Sequence, residues 1–461
     1  MNHTAGLQPL IAAWLPQQRW FGGKGRDIES FELHALDHLG DATTIWVVDV
    51  GYVDSTTETY QVPLVLHEHP VDSLEHVLLG TIGEDGGTRW VYDALHDKDS
   101  TTKWLEGIRD GRDSGRLRFA LTAEPESIPV AESSLAMGGE QSNTSLMYGD
   151  IAILKVFRRL QPGVNPDVEV QEALSRLGAA HVPRLLGHVE STVDGELTSL
   201  AMLQEYMTTA TDGWELAKAS VRDLMAEADL HAEEAGGDFA AEAARLGIAV
   251  AEVHRDLAIA FGTSRTSGAA WQARTHAMRA KLDEALRIVP ALDEVAPGLR
   301  ALYTEAAGAA ADGLATQRIH ADLHLGQALR TVHRWVLIDF EGEPMADIAT
   351  RRAPDSALRD IAGMLRSFDY AGHHRVIEAT GSTPQLAYRA EEWAQRNRNA
   401  FCDGYAEGAG FDPRTQGAIL RAFEAEKAVY EAVYEARNRP SWLAIPLASL
   451  HGLVEPKAAA S

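Results

Sequence analysis

Cysteine is almost absent: Cys402 is the only one in 461 residues. No intrachain disulfide and no cysteine-rich metal site can form, which suits a reducing cytosol. Long apolar runs are also missing. None approaches the roughly 20 residues that a membrane helix needs, so no membrane partner is expected. Met1 to Gln18 holds one short apolar stretch broken by Pro16. It has neither a basic start nor a small-residue cleavage site and does not read as a signal peptide. Positive charge is in deficit, with 42 Lys and Arg against 67 Asp and Glu, a net charge of −25. Such a surface repels nucleic acid. A nucleotide can bind it only where local cations or a metal offset the field, so the place to look is a lysine near metal-binding carboxylates.

What is present is an ordinary globular composition, 45% hydrophobic, in a chain long enough for two or three domains. Three regions differ in texture. In residues 1–108, Ala42 to Tyr52 (ATTIWVVDVGY) and Tyr60 to Leu66 are rich in β-branched and aromatic residues and read as strands. Residues 109–207 contain the apolar strand Ala152 to Phe157 (AILKVF) and another near Leu200 to Leu203. Between them, Asn165-Pro166-Asp167 marks a helix start, with a capping Asn and Pro at the first helical position. Residues 208–461 read as mostly helical. Phe239, Ala243, Leu246, Val250, Val253 and Leu257 form one buried stripe. Leu358, Ile361, Leu365 and Phe368 form a second, and Leu420, Phe423, Lys427, Tyr430 and Tyr434 a third. The short strand Trp335 to Phe340 interrupts the helices. The acidic, alanine-rich stretch Ala226 to Ala244 reads as a solvated helix surface.

The chemistry concentrates in HADLHLGQ (His320 to Gln327), followed by Ile338-Asp339-Phe340-Glu341. Phosphoryl transfer needs a group that orients and deprotonates the attacking hydroxyl, and groups that hold magnesium against the phosphates. Asp322, an acceptor on a tight loop, suits the first task. Gln327 and Asp339 offer hard oxygen ligands for the second. Their separation fits a loop, a short hairpin and a return strand. A different reading makes His320, Asp322 and His324 a zinc or iron cluster in a hydrolase. In the bland reading both histidines simply hydrogen-bond the loop. The kinase reading is preferred because its other parts stand upstream in the right order.

His320-x-Asp322 with Asp339 on a following strand resembles the aminoglycoside phosphotransferase and protein-kinase-like superfamily. HADLHLGQALR, VLIDFEGEP, RRAPDSALRDIAGMLRSFDYA and EKAVYEAVYEARNRPSWLAIPL narrow the likeness to actinobacterial maltokinase, as do EQSNTS, AILKVFRR, GGDF and the opening QRWF. The resemblance spans nearly the whole chain in order. It implies an α+β, bilobal protein-kinase-like fold with an extra N-terminal strand-rich cap (1–108). An intermediate subdomain (109–207) completes the N-lobe, and a mostly helical C-lobe (208–461) follows. ATP is expected in the cleft. One departure is Ala321, where glycine is expected. It matters if that position needs positive φ.

By resemblance, Lys155 contacts the ATP phosphates and Glu169 is its ion-pair partner, with Glu172 as competitor. Gln141, Ser142, Asn143 and Thr144 belong to the phosphate-covering loop, although only Gly138 and Gly139 precede it. Glu205, Tyr206 and Met207 form the adenine hinge. Asp322 is the catalytic base, Gln327 and Asp339 bind Mg2+, and Glu341 adds a nearby contact or a second ligand. The family phosphorylates maltose at the anomeric hydroxyl, giving maltose 1-phosphate for α-glucan synthesis in the cytoplasm, and can associate with a trehalose synthase. For the sugar, Glu426, Lys427, Tyr430, Glu431 and Tyr434 on the C-terminal helix are candidates, with Arg437, Arg439 and Trp442 after it and His324 beside Asp322. Tyrosines at helical spacing read equally as core, and Asp369 and Tyr370 are weaker candidates. Two rivals stay open: a kinase for glucosamine or an aminoglycoside, and a catalytically silent kinase fold that only binds.

Overall fold

The computed structural model describes residues 4–84, 87–138, 142–226, 238–343, 346–378 and 384–455. Gln141, Gly236, Gly237 and most of the acidic stretch after Ala226 lie outside them. The described residues divide into two compact units, residues 1–175 with 183–208, and 176–182 with 209–461.

The first unit is built on two six-stranded sheets. The N-terminal sheet joins β1 (Ile28–His38), β2 (Thr43–Tyr52), β3 (Thr57–His67), β4 (Leu78–Glu84) and β5 (Gly87–Asp93) in the order β1-β2-β3-β5-β4. The apolar run seen in β2 follows from burial of both its faces. Trp46, Val48 and Val50 pack with Leu7, Ile11 and Leu15 of the N-terminal segment. Ile45 and Val47 point the other way, to a core shared with Trp104 and Ile108. The first helix, α1 (Thr4–Trp14), and α2 (Lys98–Arg109) supply those partners.

The second sheet contains β6 (Leu117–Leu121), β7 (Ser134–Ala136), β8 (Asn143–Tyr148) and β9 (Ala152–Phe157). After β9 the chain makes the short β10 (Arg159–Leu160), which pairs with β3 of the first sheet. Helix α3 (Pro166–Leu177) precedes β11 (Leu185–Val193) and β12 (Glu196–Glu205), and the sheet order is β6-β11-β12-β9-β8-β7.

The second unit is helical. Short strands β13 (Thr211–Asp212), β14 (Thr263–Arg265) and β15 (Ala315–Gln317) lie among α4 (Gly213–Ala226), α5 (Ala240–Phe261), α6 (Gly268–Ile288) and α7 (Ala296–Ala309). The hairpin β16 (Ala328–Arg330) and β17 (Trp335–Leu337) follows, then α8 (Ile348–Arg352) and α9 (Ala357–Glu378). Helices α10 (Pro384–Ala409), α11 (Gly417–Asn438) and α12 (Ala444–Val454) complete it. Residues 176–182 belong to this unit because His181 brackets β17, its Nδ1 2.7 Å from Trp335 O and its carbonyl accepting from Leu337 N at 2.8 Å.

Two of the expected stripes are core: the α5 set and the α9 set are buried throughout. Helices α5 and α10 approach closely over Gly247 and Gly404, where an added Cβ would lie 2.2 Å from Phe401 O and 1.9 Å from Ala244 O. The third stripe divides. Leu420 and Phe423 are buried, but Tyr430 and Tyr434 are 49% and 46% exposed, so this stripe turns away from the core while Ala428, Val429, Ala432 and Glu435 keep the other face of α11 buried. Among the described residues, no helix is long and apolar enough to cross a membrane.

Candidate active site

The segment from His320 to Gln327 is irregular backbone held from behind by one buried carboxylate. Asp360, on the first turn of α9, accepts hydrogen bonds from His320 N at 2.7 Å and Ala321 N at 2.8 Å. Its Oδ2 also lies 3.1 Å from His254 Nε2, whose Nδ1 is 3.0 Å from the Tyr405 hydroxyl. Burial pushes the Asp360 carboxyl up, but the His254 hydrogen bond and charge outweigh it and hold it below the usual carboxylate value. The sequence reading missed Asp360. Its signal was faint: one aspartate in an otherwise apolar helix stripe, a place where an acid must be paired to be tolerated.

The histidines serve the loop. His320 Nε2 donates to Ile338 O at 2.9 Å, and its ring lies 4.7 Å from that of Phe340. His324 caps the short turn Leu325–Gln327, its Nδ1 accepting from Gly326 N at 3.0 Å. Burial lowers the His324 pKa, which keeps the ring neutral and that nitrogen an acceptor. The ligand atoms of His320, Asp322 and His324 do not gather into a three-residue metal group.

Two non-glycine residues here have left-handed backbones, Ala321 with φ 71° and Asp339 with φ 67°. Aspartate can adopt this conformation by local hydrogen bonding, but alanine gains nothing in return. Ala321 therefore carries strain of about 1 kcal/mol, at the position where the family pattern calls for glycine. Ala321→Gly is expected to stabilise the protein by roughly 0.5–1 kcal/mol in urea unfolding. A loss of stability would show that the alanine methyl makes packing worth more than the strain.

Asp322 projects into a cavity of about 400 Å³. Its Oδ1 is 3.1 Å from Lys427 Nζ, which reaches across from α11. Burial opposes the Lys427 charge, but the Asp322 and Glu431 carboxylates raise its pKa above the usual lysine value. Lys427 also lies 5.5 Å from the Tyr430 ring centre. The β16–β17 hairpin returns Asp339 to Gln327, with Gln327 Nε2 3.0 Å from Asp339 Oδ2. Glu341 lies two residues on, its carbonyl accepting from Arg351 at 3.2 Å.

The other sugar candidates separate. Glu426 lines the cavity, tied to Arg274 at 2.9 Å and Lys281 at 2.8 Å. Glu431 is instead bound to the buried Arg366 at 2.7 Å, and Tyr434 lies under Arg439 outside the cavity lining. Asp369 pairs with Arg366 and Arg398, and Tyr370 with Glu435, so both hold helices together.

In the first unit, Lys155 sits on β9 between β8 and β12, opposite Ser145 and Met202, so it is not an edge lysine. Its Nζ forms an ion pair with Asp167 at 3.2 Å. Asp167 is not among the partners expected for Lys155; the expected Glu169 stands two residues on, its N–H bonded to Asn165 O at 3.1 Å. Asn165 Oδ1 accepts from Asp167 N at 2.8 Å, which fixes Asp167 on the first turn of α3. The sequence marked Asp167 only as part of a helix start. Which of the acids at 167, 169 and 172 reaches a given point depends on helix phase.

The connection between β7 and β8 ends earlier than expected. Ser142 is its last residue, while Asn143 and Thr144 are ladder residues opposite Phe157 and Val156. The Thr144 hydroxyl accepts from Arg158 Nε at 2.8 Å. At the end of β12, the N–H groups of Glu205 and Tyr206 are taken by Arg184 O and Ile151 O, both at 2.9 Å.

A protein-family model described as the maltokinase N-terminal cap domain matches residues 14–97. A glucosamine kinase from Streptacidiphilus jiangxiensis is 31% identical over 355 residues, covering 73% of this chain and 76% of the relative. The chain belongs to the capped sugar kinases of the maltokinase and aminoglycoside phosphotransferase type. A second glucosamine kinase, from Mycolicibacterium smegmatis, is 29% identical over 394 residues, 80% of this chain and 88% of that one. The fold of the kinase agrees with a solved glucosamine kinase in complex with glucosamine, ADP and inorganic phosphate. That similarity has a TM-score of 0.71 at 24% identity, over 97% of this chain and 99% of the other. Within this sugar kinase, the strand-rich N-terminal sheet is the matched cap, and Asp322 stands on the loop before the β16–β17 hairpin of the helical unit.

Proposed function

We propose that the chain is an ATP- and magnesium-dependent kinase that phosphorylates maltose at its anomeric hydroxyl, giving maltose 1-phosphate. The observation that carries the acceptor is the charge state of the cavity beside Asp322. Three of its five lining carboxylates are engaged already: Asp322 by Lys427, Glu426 by Arg274 and Lys281, and Asp360 by His254 and two backbone N–H groups; Glu284 and Glu343 are the other two. Arg359 and Arg437 line the same wall and balance the charge of Glu284 and Glu343. A cationic amino sugar gains little there, whereas a neutral sugar finds donors and acceptors for its hydroxyls. Glucosamine is the second reading, favoured by what the curated relatives are called.

In this reading Asp322 accepts a hydrogen bond from the anomeric hydroxyl, aims its oxygen in line at the γ-phosphorus and takes its proton as the new P–O bond forms and the bond to ADP breaks. Lys427 holds the carboxylate in place until the hydroxyl arrives. Lys155 suits the nucleotide's phosphates, and the backbone at Met207 suits adenine, since the preceding two N–H groups are occupied. Gln327 and Asp339 fit magnesium: both offer hard oxygens from neighbouring side chains, and the Gln327 amide now donating its Nε2 to Asp339 would turn its oxygen to the metal. When bound, the metal supplies charge neutralisation on the transferring phosphoryl group.

The test is phosphate transfer from ATP–magnesium to maltose, glucose, glucosamine, trehalose and an aminoglycoside. Maltose is expected to be the preferred acceptor. Preference for glucosamine removes the maltose claim and leaves phosphoryl transfer standing. Transfer to none of them, with ATP still bound, points to a silent binding fold.

A further inference from the structure

The cavity beside Asp322 is longer than one sugar ring requires, and its two ends differ in chemistry. Helices α6 and α11 both contribute to its wall. Trp271 packs against Phe423 with tilted rings, their centres 5.6 Å apart, and Arg274 and Lys281 both reach Glu426, at 2.9 and 2.8 Å. Beyond that tie, the last turns of α6 and the second half of α11 both line the cavity: Lys281, Glu284, Ala285 and Ile288 from one helix, Val433 and Arg437 from the other. From Lys427, which touches Asp322, to Arg437 is about 15 Å by the helical rise. One pyranose ring against Asp322 leaves that arm empty.

We propose that this arm is the subsite for the second ring of the acceptor, the one that is not phosphorylated, and that it selects a disaccharide over a single sugar. The inference rests on the sugar-acceptor reading above. The arm has the composition a pyranose wants. Ala285, Ile288 and Val433 present an apolar floor for the ring's C–H face, and Lys281, Glu284 and Arg437 form a polar rim for its equatorial hydroxyls. Ile288 is 40% exposed, so the arm opens to solvent at its far end and a third ring can pass out without a clash. Phosphorylation at the anomeric carbon puts the reducing ring at Asp322. The non-reducing ring, which carries any further chain, then lies in the arm.

The test fills the arm without touching Asp322, Lys427 or the helix tie at Glu426. Val433 is half-buried and Ile288 exposed, so Val433→Trp and Ile288→Trp, made separately, add bulk at the lining with little core disruption. Both are expected to raise KM for maltose at least ~10-fold, about 1.4 kcal/mol of lost binding. KM for ATP and turnover of glucose or glucosamine should change less than twofold. Maltotriose is expected to be a substrate of the unaltered enzyme and to lose as much as maltose in the variants. Equal losses for maltose and ATP, or no change for maltose, overturn the subsite while leaving the maltose reading in place. Failure of the unaltered enzyme to use maltose, with good turnover of a monosaccharide, overturns the reading on which the subsite rests.

Discussion

Asp322→Asn is expected to lower kcat by ~10²-fold or more while leaving nucleotide affinity unchanged. The amide keeps the shape of the carboxylate but cannot take the hydroxyl proton, and it loses the charge that holds Lys427 at 3.1 Å. Single-turnover phosphorylation together with nucleotide titration separates the two effects. Full activity in the variant would remove Asp322 as base and leave it as a binding group. Lys427→Met is the companion. Without the ammonium, Asp322 loses the contact that holds it at 3.1 Å, so kcat should fall while nucleotide affinity stays unchanged. A lysine that only packs the helix would lower Tm and leave kcat of the folded enzyme unchanged.

Asp360→Ala is expected to be as damaging by another route. The side chain satisfies the N–H groups of His320 and Ala321 and faces His254, all away from water. Its loss leaves these groups unpaired at roughly 1–3 kcal/mol each. It also releases the backbone that presents Asp322, and a shift of ~1 Å in a reacting group can cost ~10² in rate. The variant should therefore show both a lowered Tm and a lowered kcat. Asp360→Asn, which keeps one acceptor oxygen, should recover part of each. Wild-type stability and turnover in Asp360→Ala would show that the loop is held by its own turns.

Much of the site lay in plain view because its chemistry is local. His320 to Gln327 and Ile338 to Glu341 are short, and the hairpin between Gln327 and Asp339 follows from their separation. The importance of position 321 was also visible as a glycine expected and not found. The backbone there proves to be left-handed, which gives that departure its physical meaning.

The sequence by itself determined the strand-rich beginning, the helical second half, the buried faces of α5 and α9, and the return of Asp339 to Gln327 by a short hairpin. These are properties of periodicity and of contacts within a few residues. Only the tertiary structure decided which distant groups meet. It put Asp167 beside Lys155, Asp360 behind the loop, Lys427 against Asp322, and Glu431 on Arg366 rather than in the cavity. It also separated Tyr430 and Tyr434 from the core although they continue a core stripe. The reason is geometric. A charged side chain's partner is chosen by helix phase and by the packing of elements far apart in sequence, and no pattern of spacing along one helix specifies what stands opposite it.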